Sequence, residues 1–295
     1  MKNLIKTALF LMVVVAPLSQ ATTIVTSIKP FQLIALEITQ GVTEPESLLS
    51  STASPHDYAM KPSDLKTLKR ADLVIWFGPE LEPFLEKVLA DGNNSLQLSK
   101  SDVAFIEYEE DGHDDHHGHD HGSVDPHIWL GPDLAEQIAT EIANKLSEID
   151  QINAARYNDN LAVFISNLEK SVNEIKAELA PYSNSGYYVF HDAYGYFETY
   201  FHLNKLGHFT LSPDRKPGAK TLIQIRSALK AGSAHCVFSE PQFKPTTVES
   251  VTRGSDVFVG VLDPLATDIE ASSGAYFRFM TGLASSYKEC LSYNK

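Results

Sequence analysis

Residues 62–89 read PSDLKTLKRADLVIWFGPELEPFLEKVL, and this stretch decides the fold class. A helical pattern over Pro62–Arg70 begins with a proline, which the first turn of a helix tolerates. The run Ala71–Phe77 is almost wholly apolar, as expected of a parallel strand that is buried on both faces. A Gly-Pro pair ends it, and Glu80–Leu89 has the pattern of another helix. The stretch therefore predicts part of an α/β sheet.

The same alternation of strand and helix patterns continues on both sides of this stretch. Upstream, the predicted elements are a strand at Thr22–Ile28, a helix at Phe31–Gln40 and a short strand at Ser47–Leu49. Downstream, strands are predicted at Tyr187–Phe190, Leu206–Thr210, His235–Ser239 and Val257–Leu262. Helices are predicted at Asp133–Ile149, Tyr194–Phe201, Lys220–Lys230, Thr246–Thr252 and Ser273–Ser292. Alternation of this kind indicates parallel sheets.

A longer helical pattern, about Asn153–Leu179, separates the two halves. Its apolar residues form one stripe on a helix of about 40 Å. We therefore predict an α/β fold with two (β/α) lobes, mainly parallel sheets, a long rigid helix joining them and a cleft between them. The predicted segments are a leader over 1–21, a first lobe over 22–150, the linking helix over 151–180 and a second lobe over 181–295.

The first 21 residues have the pattern of a cleaved signal peptide. Two early lysines precede an apolar run over Ala8–Val15, and Ser19–Ala21 forms a small-x-small cleavage site. The apolar run is too short to span a bilayer. We therefore expect a mature chain that begins near Thr22 and works outside the cytoplasm.

The chain is strongly acidic. Its formal net charge is −14 at pH 7, and removing the leader, with two lysines and no acid, makes it −16. Such a charge repels nucleic acid and anionic lipid and attracts cations. We expect no nucleic-acid partner, although the charge alone is equally consistent with plain solubility.

The chain has two cysteines, Cys236 and Cys290. In an oxidising compartment, a pair without a third partner is most simply a disulfide. Closing a loop of that length contributes roughly 4 kcal/mol on the chain-entropy model, which is an upper-end figure. A two-thiolate metal site is the alternative.

Residues 107–130, EYEEDGHDDHHGHDHGSVDPHIWL, combine an acidic tract with an ordered end. The tract holds five of the eleven histidines: His113, His116, His117, His119 and His121. So few apolar residues cannot form a core, and ordering such a loop around an ion costs conformational entropy. We predict that loop 107–124 is a secondary, weak metal-binding loop that collects or senses ions. A merely solvating insert is the alternative.

Three histidines outside the tract stand at breaks that follow or precede apolar runs. His56 and His191 come after strand patterns, as does Asp263. In open α/β sheets the carboxyl ends of the strands line the ligand crevice, so these three positions converge on one cleft. His127 does not follow a strand pattern. We place it in the same cleft because it lies between a proline and the apolar run Ile128–Leu130.

These residues suit a zinc ion. Three imidazoles with an open or carboxylate-filled fourth position make a tetrahedral zinc site. We predict His56, His127 and His191 as ligands, with Asp263 in contact with the ion directly or through water. The candidate acceptors for their second ring nitrogens are the neighbouring carboxylates of Asp57, Asp125 and Asp192. The histidines without this pattern are predicted to be structural: His202, His208 and His235.

Several long segments of the chain are similar to a known family. They are SPHDYAMKPSDLKTLKRADLVIWFGPELE, DPHIWLGP, YYVFHDAYGYFE, LGHFTLSP, CVFSEPQF and LDPLAT. The chain resembles the zinc-binding periplasmic components of bacterial ABC importers over essentially its whole mature length. The resemblance implies two (β/α) lobes on a rigid helix, with the ion held between them in the periplasm and handed to a membrane permease.

The family's three histidine ligands fall on His56, His127 and His191. Manganese-binding relatives usually have a carboxylate where His191 stands, so this position favours zinc. Some zinc-binding members have a glutamate immediately before the first histidine, where this chain has Pro55, which leaves Asp263 or water as the fourth partner. The family's disulfide falls on the two cysteines. The expected partners are the permease and a periplasmic zinc-donor protein, and the expected state is a monomer.

Two other functions compete with zinc transport. A binding protein of the same family could take manganese, copper or nickel instead. Three histidines and an open position also describe a secreted zinc hydrolase. However, the sequence has no His-Glu-x-x-His motif, and HGHDH at 117–121 is one residue short of a metallo-hydrolase motif. Nothing in the sequence identifies a general base, so we predict that the chain is not an enzyme.

Overall fold

The structure, a computed structural model, describes residues 22–90, 94–108, 124–213 and 216–293. In these ranges, eight strands form two four-stranded sheets with the orders β2-β1-β3-β4 and β6-β5-β7-β8. Every strand pair is parallel. The predicted α/β fold with parallel sheets is therefore confirmed.

The first sheet and its helices form the N-terminal lobe. Its strands are β1 (Ile24–Thr26), β2 (Glu46–Ser47), β3 (Leu73–Trp76) and β4 (Ser95–Gln97). Its helices are α1 (Lys29–Ile38), α2 (Pro62–Arg70), α3 (Glu86–Leu89) and α4 (Pro132–Ile149). All four residues of β3 are buried, as its apolar sequence predicts. At the start of α2, Asp64 accepts a hydrogen bond from the Lys61 N–H at 2.7 Å.

The predicted helix Glu80–Leu89 is wrong over most of its length, because α3 covers only its last four residues. The residues before α3 form turns, and Pro83 has no N–H to donate. The carboxylate of Glu82 is buried and accepts hydrogen bonds from the N–H groups of Phe77 and Gly78, both at 3.1 Å. It also accepts one from Ser27 Oγ at 2.5 Å. These bonds hold the chain in a turn at the end of β3.

The second sheet and its helices form the C-terminal lobe. Its strands are β5 (Tyr187–His191), β6 (Lys205–Thr210), β7 (Cys236–Ser239) and β8 (Phe258–Val261). Its helices are α6 (Gly195–Phe201), α7 (Ala219–Lys230), α8 (Thr246–Thr252) and α9 (Ala275–Leu291). A disulfide joins Cys236 at the start of β7 to Cys290 in the last turn of α9, with 5.7 Å between their Cα atoms. The two-thiolate metal site is therefore ruled out.

Helix α5 (Ala154–Leu179) links the lobes. Its 26 residues span about 39 Å. Its buried stripe packs against α1, α4 and α9, which come from both lobes. The stripe comprises Tyr157, Phe164, Leu168, Val172, Ile175 and Leu179. One continuous apolar core therefore runs from the first sheet through α5 into the second lobe.

Two predicted segments lie outside the described residues. They are the leader over 1–21 and the histidines at 113, 116, 117, 119 and 121. On either side of the histidine tract, Glu107 and Val124 pair in an antiparallel bridge. Among the described residues, no helix is both long enough and apolar enough to cross a membrane.

Candidate metal centre

Three histidines from separate elements meet in the cleft. His191 is the last residue of β5, His127 immediately precedes a 3₁₀ turn at Ile128–Leu130, and His56 lies in the connection between β2 and α2. Each offers one ring nitrogen, and these three atoms lie within 4.8 Å of one another. The structure thus brings together the three histidines that the sequence singles out.

The spacing of two of these rings already fits a shared zinc ion. His127 Nε2 and His191 Nε2 are 3.2 Å apart. With zinc–nitrogen bonds of about 2.0–2.1 Å, two tetrahedral ligands stand about 3.3 Å apart. Both rings belong to residues that are only 2% exposed. His56 is half-buried, and its ring centroid lies 5.4 Å from that of His127 and 5.8 Å from that of His191.

Asp125 orients His127, as the sequence predicts. Its Oδ1 lies 2.7 Å from His127 Nδ1 and accepts the His127 backbone N–H at 3.0 Å. A carboxylate accepts a proton from Nδ1, which leaves the Nε2 lone pair free for a metal. Burial lowers the pKa of His127 well below its usual value. The ring is therefore neutral at physiological pH, as a zinc ligand must be.

The predicted partner of His191 is wrong. Its Nδ1 contacts Glu240 at 2.7 and 2.8 Å, and Glu240 is almost fully buried. Asp192 instead forms an ion pair with Lys205, and its Oδ2 lies 3.3 Å from His208 Nδ1. Although burial opposes ionisation, His208 and Lys205 hold the pKa of Asp192 below its ordinary value. This carboxylate is therefore engaged by Lys205 and His208 rather than by His191.

A sequence signal for Glu240 existed. It immediately follows β7, so it stands at the carboxyl end of a parallel strand, like His191. The sequence prediction considered only the histidines and the acids next to them in the chain. It therefore missed Glu240, which contacts the His191 ring from the adjacent strand. The remaining histidines fit structural roles, because His208 pairs with Asp192 while His202 and His235 are exposed.

The carboxylate of Asp263 is engaged by protein donors. Its Oδ1 accepts hydrogen bonds from Gln242 Nε2 at 2.7 Å and from the Leu265 N–H at 3.0 Å, and its Oδ2 accepts one from the Thr267 N–H. Among the described residues, the group of mutually close ligand atoms comprises the three histidines. Contact between Asp263 and the ion stays a prediction, as does the pairing of Asp57 with His56.

Two parallel-sheet lobes on a long helix, with imidazoles from both lobes meeting in the cleft, define a two-lobed metal-binding protein. The sequence matches the family model "Zinc-uptake complex component A periplasmic", ZnuA, over residues 24–290. The chain belongs to this family.

Relatives and solved structures agree with this assignment. The high-affinity zinc uptake system protein ZnuA of Yersinia pestis is 41% identical over 291 residues, which cover 91% of each chain. The protein of the same name from Haemophilus ducreyi is 40% identical, with 91% of this chain and 93% of that one covered. A crystal structure of ZnuA has a TM-score of 0.78 at 28% identity, covering 92% of this chain and all of that one. A ZnuA deletion mutant with zinc bound gives 0.79 at 28% identity, covering 94% and 100%.

Proposed function

We propose that this chain is a periplasmic solute-binding protein that captures Zn(II) with high affinity and delivers it to an ABC permease for import. The observation that carries the proposal is the meeting of three imidazoles from two lobes, two of them at tetrahedral ligand spacing. The names of the relatives, which describe a high-affinity zinc uptake system, support the same function.

The donor set supports zinc over manganese. Imidazole is a borderline ligand that suits zinc, copper and nickel, whereas manganese favours carboxylate and carbonyl oxygen. The two carboxylates nearest the ligands, Asp125 and Glu240, contact Nδ1 atoms and act as proton acceptors for the rings. Copper and nickel compete for the same nitrogens, and zinc is preferred through its tetrahedral geometry.

Capture and release follow from the origin of the ligands. His56 and His127 belong to the N-terminal lobe and His191 belongs to the C-terminal lobe, so a bound ion joins the lobes. A partner that moves the His56 connection removes one ligand while the buried pair stays in place. We propose that the permease causes such a movement. We also propose that a periplasmic zinc-donor protein supplies zinc to this chain and that the chain is a monomer.

The same contacts argue against catalysis. A zinc hydrolase needs a general base within reach of the metal-bound water. Asp125 and Glu240 each hold the outer ring nitrogen of a ligand and are nearly fully buried. We therefore propose a binding role without an enzymatic one.

A chelator-competition titration tests the zinc site. We expect one tight zinc site in the wild type and a loss of at least about 100-fold in affinity in His127→Ala and in His191→Ala, because each removes a direct ligand. The exposed His235→Ala is the matched control and should bind zinc like the wild type. Tight binding retained in both ligand variants would refute the proposal, as would manganese competing on equal terms with zinc.

The histidine tract requires a separate experiment. Deleting residues 112–122 should remove weak zinc sites and leave the tight site unchanged, since the three ligands lie outside the deleted segment. The measurement is zinc stoichiometry and affinity by calorimetry. Loss of the tight site would show that the tract is the primary binding site.

A further inference from the structure

The connection that carries His56 is tied to the opposite lobe. It consists of turns and bends between β2 and α2. Five residues before His56, the carbonyl oxygen of Ser51 accepts a hydrogen bond from Gln242 Nε2 at 3.1 Å and another from Thr267 Oγ1 at 3.0 Å. Both donors belong to the C-terminal lobe. The position of this connection therefore depends on residues that are distant in sequence.

The amide of Gln242 has a defined orientation. Its Nε2 also donates to Asp263 Oδ1 at 2.7 Å and to Thr267 Oγ1 at 3.2 Å, and the Thr267 hydroxyl gives its own proton to Ser51. The nitrogen therefore faces a carbonyl and a carboxylate, neither of which can donate, and a hydroxyl that acts as an acceptor. Its Oε1 is buried and has no hydrogen-bond partner among the described residues. Rotating the amide would place Oε1 against two acceptors. The nitrogen contacts therefore fix the side chain.

Asp263 belongs to a segment that both lobes hold. The Asp263 carboxylate accepts the N–H groups of Leu265 and Thr267 and thereby shapes the turn. From the N-terminal lobe, Trp129 Nε1 donates to the Pro264 carbonyl at 2.8 Å and Lys29 Nζ donates to the Thr267 carbonyl at 3.1 Å. This turn is held in place by both lobes, and Gln242 connects it to Ser51 by donating hydrogen bonds to Asp263 and to the Ser51 carbonyl.

His56 needs such support more than the other two ligands. His127 and His191 are nearly fully buried, and His191 belongs to strand β5. His56 is half-buried, and Gln242 lines the same cavity as His56. A ligand on an irregular segment loses conformational entropy when it binds, and contacts that restrain the segment beforehand reduce this cost.

We propose that Gln242 is a positioning residue of the zinc centre, which holds the His56 connection against the C-terminal lobe through Ser51 and Asp263. The inference rests on the proposed function, in which His56 is a zinc ligand. Gln242 acts through His56 and does not bind the ion itself.

The test is a double-mutant cycle on the full chain with zinc affinity as the readout. Gln242→Ala should weaken zinc binding by about tenfold or more, which is the usual effect of losing a residue that orients a metal ligand. In a His56→Ala background the same substitution should have almost no further effect, because the two residues act as one unit. Thr267→Val, which removes the second donor to Ser51, should show the same dependence on His56.

Controls separate this effect from misfolding. Gln224→Ala on the exposed face of α7 should leave zinc affinity unchanged, and an unaltered zinc-free melting temperature of Gln242→Ala shows that the variant folds. The absorption spectrum of bound Co²⁺ should differ between Gln242→Ala and the wild type. It should be the same in His56→Ala and in the double variant.

Three results would overturn the inference. They are wild-type zinc affinity in Gln242→Ala, additive losses in the cycle, and tighter binding by Gln242→Glu. A glutamate there places a carboxylate against Asp263 and the Ser51 carbonyl, so we expect it to weaken binding unless residue 242 is itself a ligand. Failure of the proposed function is distinct, because the wild type would then lack a tight site or His127→Ala would retain it.

Discussion

His127 and His191, the two buried histidines of the cluster, each have one carboxylate at Nδ1. Asp125 reaches His127 from two residues away in sequence, whereas Glu240 reaches His191 from a different strand. Both contacts fix which nitrogen carries the proton and where the ring points. The two Nε2 atoms are therefore held 3.2 Å apart, at the spacing that a shared zinc ion would need.

At the residue scale, Glu240→Gln should weaken zinc binding by about 10- to 100-fold. The amide retains the shape but is a weaker acceptor for the His191 ring proton, so the ring becomes a less basic ligand. Chelator competition measures the loss, and Glu249→Gln on α8 is a control that should have no effect. An unchanged affinity would contradict the orienting role.

Acid should also release zinc. Ligand imidazoles must be neutral, so affinity should fall as the pH drops through about 6.5. Burial lowers the pKa of His127, which makes this ring lose its proton more readily and keeps it available to the metal at lower pH. Competition titrations between about pH 8 and about pH 5 test this expectation. A constant affinity over that range would argue against histidine ligation.

At this scale the sequence predicts which histidines meet better than it predicts their hydrogen-bond partners. A histidine at a strand end is visible in the chain, and Asp125 is a sequence neighbour of His127. The contact of Glu240 with His191 depends on the pairing of β5 with β7, which brings residues 49 positions apart together. No local pattern contains that pairing.

Among the elements, the turn after β3 contains a buried acid. Burial raises the pKa of Glu82 to about 7, although Ser27, Gly78 and Phe77 donate hydrogen bonds that partly oppose the shift. Because the folded pKa exceeds the usual value of 4.5, this group's contribution to stability is fully present below about pH 4.5. It is lost as the pH rises through about 7.

Glu82→Gln should therefore flatten the pH dependence of unfolding. The wild type should lose roughly 3 kcal/mol of unfolding free energy between about pH 4.5 and pH 8 from this group, and the neutral amide should not. Denaturant unfolding in the presence of chelator at several pH values provides the measurement. Glu86→Gln at the exposed start of α3 should follow the wild type, and identical pH profiles for Glu82→Gln and wild type would contradict the assignment.

At this scale the apolar runs predicted β3, β5 and β7 well, because these buried parallel strands have few polar residues. The predicted strands at β6 and β8 are also present, although both are only partly buried. The prediction erred at residues 80–85, where a side-chain carboxylate replaces helical hydrogen bonding. The strand Ser95–Gln97 was missed, because its three residues are only partly buried and two of them are polar. Its identity comes from pairing with β3, which its own sequence does not reveal.

Across the whole molecule, the lobes share contacts beyond α5. Trp129 of the N-terminal lobe donates to the Pro264 carbonyl and accepts a hydrogen bond from Tyr276 at its own carbonyl, both at 2.8 Å. Phe31 packs edge-on against the Trp129 ring, with 5.4 Å between the ring centroids. A hinge opening by several ångströms would break the two Trp129 hydrogen bonds that cross between the lobes.

Zinc should therefore bind without a large change in shape. For a mature chain of this length the radius of gyration is roughly 19 Å, and one equivalent of zinc should change it by less than about 0.5 Å. Small-angle X-ray scattering of the zinc-free and zinc-loaded protein tests this expectation. A decrease of several ångströms would indicate domain closure and refute the rigid arrangement.

At this scale the sequence predicted two α/β units and the helix between them, because a long amphipathic stripe is visible in the chain. It did not predict how the units face each other. That arrangement depends on contacts such as those of Trp129 and Gln242, which join residues more than a hundred positions apart.

The antiparallel bridge between Glu107 and Val124 has an evolutionary consequence. Because the bridge holds residues 107 and 124 side by side, residues can be gained or lost between them without displacing either one. The loop-closure free energy changes only slowly with the number of residues, and a doubling costs about 0.6 kcal/mol. We therefore expect natural variation in the length and histidine content of the segment between residues 107 and 124 to have little effect on stability. The histidine cluster in the cleft should stay unchanged by such variation.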